Sequence, residues 1–358
     1  MRVLFIVRST LFTVRGGDTI QVEETARHLQ KLGIEADIKK TNEKLMYDSY
    51  DLLHFFNIIR PADILLHIKK SDKPFVVSTI LIDYSGYDKY NRKGFAGKLF
   101  RFLSPDGIEY MKTIYRFFRR RDDLVSIAYL WKGQKRSVKE ILRKANCVLV
   151  QAEKEYTELV RRYNITPPFA IVQNGVNTEL LKANRAANRD ENLVLCVARV
   201  EGIKNQVNLI HAVNNTPYKL LIIGDTAPNQ KKYYQHCRQI AGSNISFINY
   251  LPQHQLMDYY ASAKVHVLPS WFEVCGLSSL EAAAMGCRVV ITDRGYASSY
   301  FNGDAFYCDP SQPETILKAI DEAAAAQMNG ELQQRVIQKY TWQKAAEKIL
   351  SVYKKHVA

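Results

Sequence analysis

Short strand-like runs alternate with helical patterns twice along this chain, and no other feature restricts its fold as strongly. In the first series the runs are Val3–Val7, Glu35–Lys39, Asp51–Phe55, Phe75–Ile80, Cys147–Gln151 and Ala170–Val172. Behind a Gly16-Gly17 loop, Val22, Ala26, Leu29 and Leu32 recur at three- and four-residue spacing, and Gly33 follows as a stop. That spacing predicts an amphipathic helix. Strand, helix and strand in this order make a βαβ unit, which opens a parallel sheet. The second series has runs at Leu193–Ala198, Lys219–Ile223, Ile245–Ile248, Val265–Leu268 and Arg288–Thr292, with helical segments that include Gln255–Ala263 and Leu280–Met285.

The fold class is therefore α/β, with two Rossmann-like halves. The chain has 358 residues, and at roughly 150 residues per domain two domains are expected. The sequence divides into an N-terminal domain over 1–180, a second over 181–340 and a C-terminal helix over 341–358. The polar, charged stretch Lys182–Asn192 reads as the linker. In the last helix, Trp342–His356, Ala345, Ile349, Val352 and Tyr353 lie on one stripe with lysines opposite. It either caps the second domain or crosses back to the first. Two such halves imply a cleft, and parallel sheets bind ligands outside the carboxyl ends of their strands.

Composition removes several alternatives. Hydrophobic residues make up 47% and charged residues 24%, which excludes a disordered chain. No uncharged apolar run reaches the 18 or so residues of a membrane span. Met1–Val7 is too short for a secretion signal because Arg8 interrupts it. Six scattered cysteines without a Cys-x-x-Cys pair read as buried free thiols. The expectation is a cytoplasmic protein, with the inner face of the membrane as the alternative, and no metal. Lysine and arginine exceed aspartate and glutamate by 50 − 36 = 14, which calls for an anionic partner. Between Tyr84 and Lys144 there are 16 basic and 6 acidic residues, so 10 of the 14 surplus charges lie in that window, with 12 of the 39 aromatics. Residues 84–144 fit a peripheral contact with an anionic membrane, a dock for a lipid-linked pyrophosphate, or a solvated basic face with its rings packed inward. No nucleic-acid reading module accompanies them.

Two segments carry candidate chemistry. In VHVLPSWFEVCGLSSLEAAAMGCRVVIT, residues 265–292, a strand is followed by a loop with Glu273 and Gly276, and a helix starts near Leu277. The turn Val274–Leu277 presents backbone N–H groups at a helix N-terminus, a seat for a phosphate or sugar hydroxyl. Glu281 is expected in the first helical turn, where its carboxylate could accept from two ribose hydroxyls. Capping or solubilising the helix end is the plainer role for both glutamates. In CVARVEGIKN, residues 196–205, Arg199 closes a strand and Lys204 is expected at a helix start. Two cations there could neutralise a diphosphate.

Taken in order, Arg199-x4-Lys204, Ile223-Gly224-Asp225, Asn249-Tyr250-Leu251-Pro252, Pro269-Ser270 and Glu273-x7-Glu281 resemble the second domain of the family 4 retaining glycosyltransferases. The Gly16-Gly17 loop and Asn174-Gly175-Val176 fit the same family. The resemblance implies the two-domain GT-B fold, a C-terminal helix returning to the first domain, and a nucleotide-sugar donor, UDP- or GDP-linked, with no cofactor. It implies that Glu281 binds the ribose, that Arg199 and Lys204 hold the diphosphate, and that Glu273 contacts the sugar. It also implies that the backbone of Cys275, Gly276 and Leu277 lies near sugar and phosphate, the backbone near Leu251 meets the base, and Gly16 and Gly17 let the first domain approach the diphosphate. Two departures stand out. The family places a histidine after the fourth strand of the first domain. Here that stretch reads VVSTILID, residues 76–83, leaving Asp83 as the nearest polar candidate. His54 reads as a satisfied core or rim histidine. The junction carries Asn177 where the family has aspartate.

The expected function is a metal-independent retaining transferase that moves a hexose-type sugar to a glycan or lipid-linked acceptor, in cell-surface polysaccharide or glycolipid synthesis. Two rivals remain open: a nucleotide-sugar epimerase on the same fold, which would isomerise donor without acceptor, and a non-catalytic nucleotide-sugar-binding subunit.

Overall fold

The computed structural model describes residues 1–92, 94–119, 121–182, 189–327 and 330–357. Among them, twelve strands form two parallel six-stranded sheets. The chain separates into one unit of Met1–Asn174 with Trp342–Ala358, and a second of Gly175–Thr341. Most of the expected linker, residues 183–188, lies outside the described residues.

In the first unit the strands are β1 (Arg2–Val7), β2 (Glu35–Lys40), β3 (Leu52–Phe56), β4 (Phe75–Ser78), β5 (Cys147–Val150) and β6 (Phe169–Ile171). Their order is β2-β1-β3-β4-β5-β6. In the second they are β7 (Asp190–Val197), β8 (Lys219–Ile223), β9 (Ile245–Ile248), β10 (Ala263–Leu268), β11 (Arg288–Thr292) and β12 (Phe306–Cys308), in the order β12-β11-β10-β7-β8-β9. Strand order reverses at β1/β3 in one sheet and at β7/β10 in the other, the positions where open α/β sheets leave a crevice at their carboxyl ends.

The central strands are largely apolar because helices cover both faces of each sheet. Val3, Leu4, Phe5, Leu52, Leu53 and Phe55 are fully buried, as are Val289, Val290 and Ile291. All six cysteines are buried free thiols, and burial raises the pKa of each. The helix Trp342–His356 belongs to the first unit, where Tyr353 is fully buried. Its hydroxyl lies 2.6 Å from Nδ1 of His54 in β3, and Nε2 of His54 lies 2.8 Å from Ser78 Oγ. His54 is thus a satisfied core histidine. At the edge of the second unit, Val176 bridges Thr341, so this unit's first and last residues run side by side.

Burial gives this fold an acid limit. His54 and His266, both fully buried, have pKa values lowered to about 3, and that of His67 is lowered to about 4. A histidine depressed in the folded state takes up its proton on unfolding, so its stabilising contribution is complete above the ordinary value and is lost as pH falls below it. Between pH 7 and pH 5 each contributes a loss on the order of 2 kcal/mol, from an unfolded value near 6.5. Urea unfolding at both pH values is expected to show this loss, with about 2 kcal/mol less in His54→Gln than in the parent. Equal losses would refute it.

Candidate functional site

The loops after β7 and β10 flank the reversal point of the second sheet, and they carry Arg199, Lys204 and Glu273. Lys204 ends a single 3-10 turn, Gly202–Lys204, and the following helix begins only at Gln206. It does not open a helix as expected, because Asn205 between them is left-handed, φ 62°. That conformation lets the Asn205 amide donate to the carbonyls of Pro269, 3.0 Å, and Pro310, 2.7 Å. Trp271 N–H donates to Ile203 O at 2.9 Å. The two loops are thereby tied together, and Lys204 Nζ meets Glu273 Oε1 at 2.5 Å.

Neither proposed diphosphate ligand is an open cation. Arg199 is ion-paired with Glu201 at 2.7 Å, and its carbonyl accepts from the Gln206 amide at 2.9 Å. Lys204 and Glu273 are both largely buried, with side-chain exposures of 19% and 9%. An incoming anion would take over part of each carboxylate's role, so the pairs hold both cations in place beforehand. The backbone of Glu273 is fixed as well: its N–H donates to Arg294 O at 3.1 Å, and its carbonyl accepts from Tyr296 N–H at 2.8 Å.

The helix after this loop is Leu277–Ala284, so Glu281 is its fifth residue and begins the second turn, not the first. Four residues past the start, its side chain reaches the Gln253–Ser262 helix. Oε1 accepts from Gln253 Nε2 at 2.6 Å and Oε2 from the Tyr260 hydroxyl at 3.2 Å. Each carboxylate oxygen keeps further acceptor capacity for a second donor. Gly276 caps the helix with φ 71°, and a Cβ there would lie 2.9 Å from Ile291 Cδ1. Cys275 is buried and Leu277 half-buried. Leu251, also half-buried, sits just before the Gln253–Ser262 helix, next to Tyr250, whose N–H donates to Asp225 Oδ1 at 3.0 Å.

Gly16, Gly17 and Asp83 belong to the first unit. Gly16 is the extended N-cap of the helix Gly17–Lys31, and its N–H donates to Thr19 Oγ1 at 3.1 Å. Arg8 organises this loop through Asp18 at 2.7 Å and the Val14 carbonyl at 2.7 Å. Asp83 accepts from Ser85 N–H at 2.8 Å and lies 3.8 Å from Arg162, which also holds Asp106. Its carboxylate is occupied with local structure. Among the described residues, no group of three or more histidine, cysteine, aspartate or glutamate side chains is placed to hold a metal ion.

The model of the family described as glycosyl transferases group 1 matches residues 177–354. The chain carries a group 1 glycosyltransferase domain. That match takes in β7 to β12 and all but the end of the Trp342–His356 helix. D-inositol 3-phosphate glycosyltransferase of Corynebacterium diphtheriae is 24% identical over 243 residues, 60% of this chain and 57% of the relative. The alignment thus spans little more than half of that protein. Sucrose-phosphate synthase of Thermosynechococcus elongatus shares the fold over 99% of both chains, with TM-score 0.74 and 17% identity. Anabaena Alr3699/HepE, solved in complex with UDP-glucose, does so over 99% of this chain and 100% of its own, with TM-score 0.70 and 16% identity. These solved folds are GT-B glycosyltransferase folds.

The residues that support these side chains differ in how far the sequence reveals them. Glu201, only two positions from Arg199, had a local signal. Gln253 and Tyr260 had none, since they meet Glu281 across 28 and 21 residues. In the first unit, β4 ends at Ser78 and Ile80 is left-handed, φ 45°, an unfavourable state for a β-branched residue. The fully buried Glu155 holds that turn. It accepts from Thr79 Oγ1 at 2.5 Å, Leu81 N–H at 2.8 Å and Gln151 N–H at 2.7 Å.

Proposed function

We propose that this protein is a retaining, metal-independent glycosyltransferase that moves a hexose-type sugar from a UDP- or GDP-sugar to a hydroxyl of a glycan or lipid-linked acceptor. The reading rests on the pre-assembled set of Arg199, the Lys204–Glu273 pair and Glu281 at the carboxyl end of the second sheet. Its group 1 domain and the UDP-glucose bound by its structural relative support a nucleotide-sugar donor. Glu281 accepts from the ribose hydroxyls, and Arg199 and Lys204 take the diphosphate, whose negative charge grows as the sugar–oxygen bond breaks. Glu273 holds Lys204 and contacts the sugar. The acceptor oxygen bonds the anomeric carbon on the face the diphosphate leaves, and its proton passes to a diphosphate oxygen. The two side-chain cations supply the charge that a metal provides elsewhere. Cell-surface polysaccharide or glycolipid synthesis on the cytoplasmic side fits such a product.

A thermal-shift series with UDP, GDP, ADP and their sugar conjugates, with and without EDTA, tests the site. A ligand that binds only the folded state at 100 times its Kd stabilises by about 2.7 kcal/mol, roughly 5–10 °C for a domain of this size. The expected result is a shift with one nucleotide family, unchanged by EDTA and lost in Glu281→Ala relative to that variant's own melting temperature. No shift with any nucleotide would overturn the donor assignment and favour a non-catalytic role.

A further inference from the structure

Between β4 and β5 the first unit inserts the helices Ser85–Tyr90, Phe95–Phe100, Pro105–Phe118 and Ala128–Lys144. Lys93 and Arg120 of this insert lie outside the described residues. Of the 14 large apolar side chains exposed among the described residues, ten fall between positions 90 and 131. Phe102 is 89% exposed, Trp131 85%, Phe118 76%, Tyr90 73% and Ile127 72%. Other rings, such as Phe100 and Tyr129, are buried, so the inward-packed reading of this segment accounts for only part of it. Exposed apolar side chains this frequent within one 42-residue stretch call for an apolar partner.

Charge identifies the partner. Lys98, Arg101, Arg119, Arg121, Lys135 and Arg136 are exposed within the same insert. Gly133, with φ 68° and ψ 178°, breaks the last helix. Gln134 fixes the break, accepting from the Tyr129 hydroxyl at 2.7 Å and donating to Ile59 O at 2.9 Å. Beside the break lies an open cavity of about 510 Å³, lined by Lys132, Lys135, Arg136 and Lys139. Its one acidic lining residue, Asp106, is already held by Arg162 and Tyr163. Lys132 pairs with Glu140, whereas among the described residues no carboxylate pairs with Lys135, Arg136 or Lys139. A cationic hollow thus sits one to eight residues along the chain from the most exposed tryptophan. No described helix is long and apolar enough to cross a membrane.

We propose that this insert is a membrane-docking face for an anionic phospholipid leaflet. Phe102, Phe118, Ile127 and Trp131 enter the headgroup–acyl boundary, and the hollow around Lys135, Arg136 and Lys139 takes a lipid phosphate. The inference is independent of the transfer reaction, and its test reads binding alone. The full chain is sedimented with phosphatidylcholine vesicles and with vesicles containing 30% phosphatidylglycerol. Binding is expected only to the second, and it weakens in 0.5 M salt because surface charge is screened. Each Lys or Arg near such a surface strengthens binding about fivefold, so replacing Lys135, Arg136 and Lys139 by Gln lowers it roughly 100-fold. Phe102→Ser with Trp131→Ser lowers binding at high and low salt alike, with an unchanged circular dichroism spectrum. Equal binding to neutral and anionic vesicles, parental binding by the triple variant, or a dimer that shields Trp131 from quencher without binding vesicles would each overturn the proposal.

Discussion

Arg199→Ala is expected to lower sugar transfer about 10²–10³-fold with little change in melting temperature, the loss typical of removing one pre-placed donor from a developing oxyanion. Its guanidinium is one-third exposed and pairs with a glutamate two residues away, so the fold does not depend on it. Lys204→Ala is expected to cost as much activity and stability besides. Glu273 would remain as a buried, unpaired carboxylate, and breaking such a pair costs about 3–5 kcal/mol. Glu273→Gln added to Lys204→Ala should recover most of that stability and none of the activity. Donor turnover and melting temperature measured across the three variants separate the two effects. Parental turnover in Arg199→Ala and in the double variant would remove both residues from diphosphate binding.

Gly295→Ala should be among the most damaging single-methyl additions in the second unit. Gly295 has φ 108°, and a Cβ there would lie 2.1 Å from the Glu273 carbonyl oxygen and 2.9 Å from the Glu273 nitrogen. Both neighbours are backbone, so neither can turn aside. The Glu273–Gly295 bridge must open, and with it the two hydrogen bonds that place Glu273 against Lys204. Strain and overpacking together amount to roughly 3–5 kcal/mol. Gly303→Ala is the control: nothing lies within 4 Å of its added carbon, and a change within about 0.5 kcal/mol is expected. Chemical unfolding of the pair decides the matter, and equal midpoints would mean the Glu273 turn tolerates displacement.

The strands were legible because each holds a short apolar run bounded by polar or turn residues. Lys219–Ile223, Ile245–Ile248 and Arg288–Thr292 have the ends their sequences indicate. The run read as Phe75–Ile80 stops two residues short as a strand, since apolar character persists through a turn held by Glu155, 75 residues beyond Ile80. Phe306–Cys308, three residues at a sheet edge and partly exposed, has too little burial to show a pattern. In the candidate site, residue types and spacing pointed to Arg199, Lys204, Glu273 and Glu281. Their pairing did not show, because Lys204 meets its partner across 69 residues. The helix begins at Leu277 as its sequence indicates, and Glu281, its fifth residue, falls just past the first turn in which it was expected.

The helix Trp342–His356 also sets an order on the making of the protein. The hydroxyl that satisfies His54 arrives 299 residues later in the chain. At about 5–20 residues per second of synthesis, His54 waits roughly 15–60 s on the ribosome for it. Meanwhile the whole of Gly175–Thr341 emerges and can close its own sheet. The unit that starts first is completed last, and until then the apolar groove that receives Ala345, Ile349 and Val352 is open to chaperones.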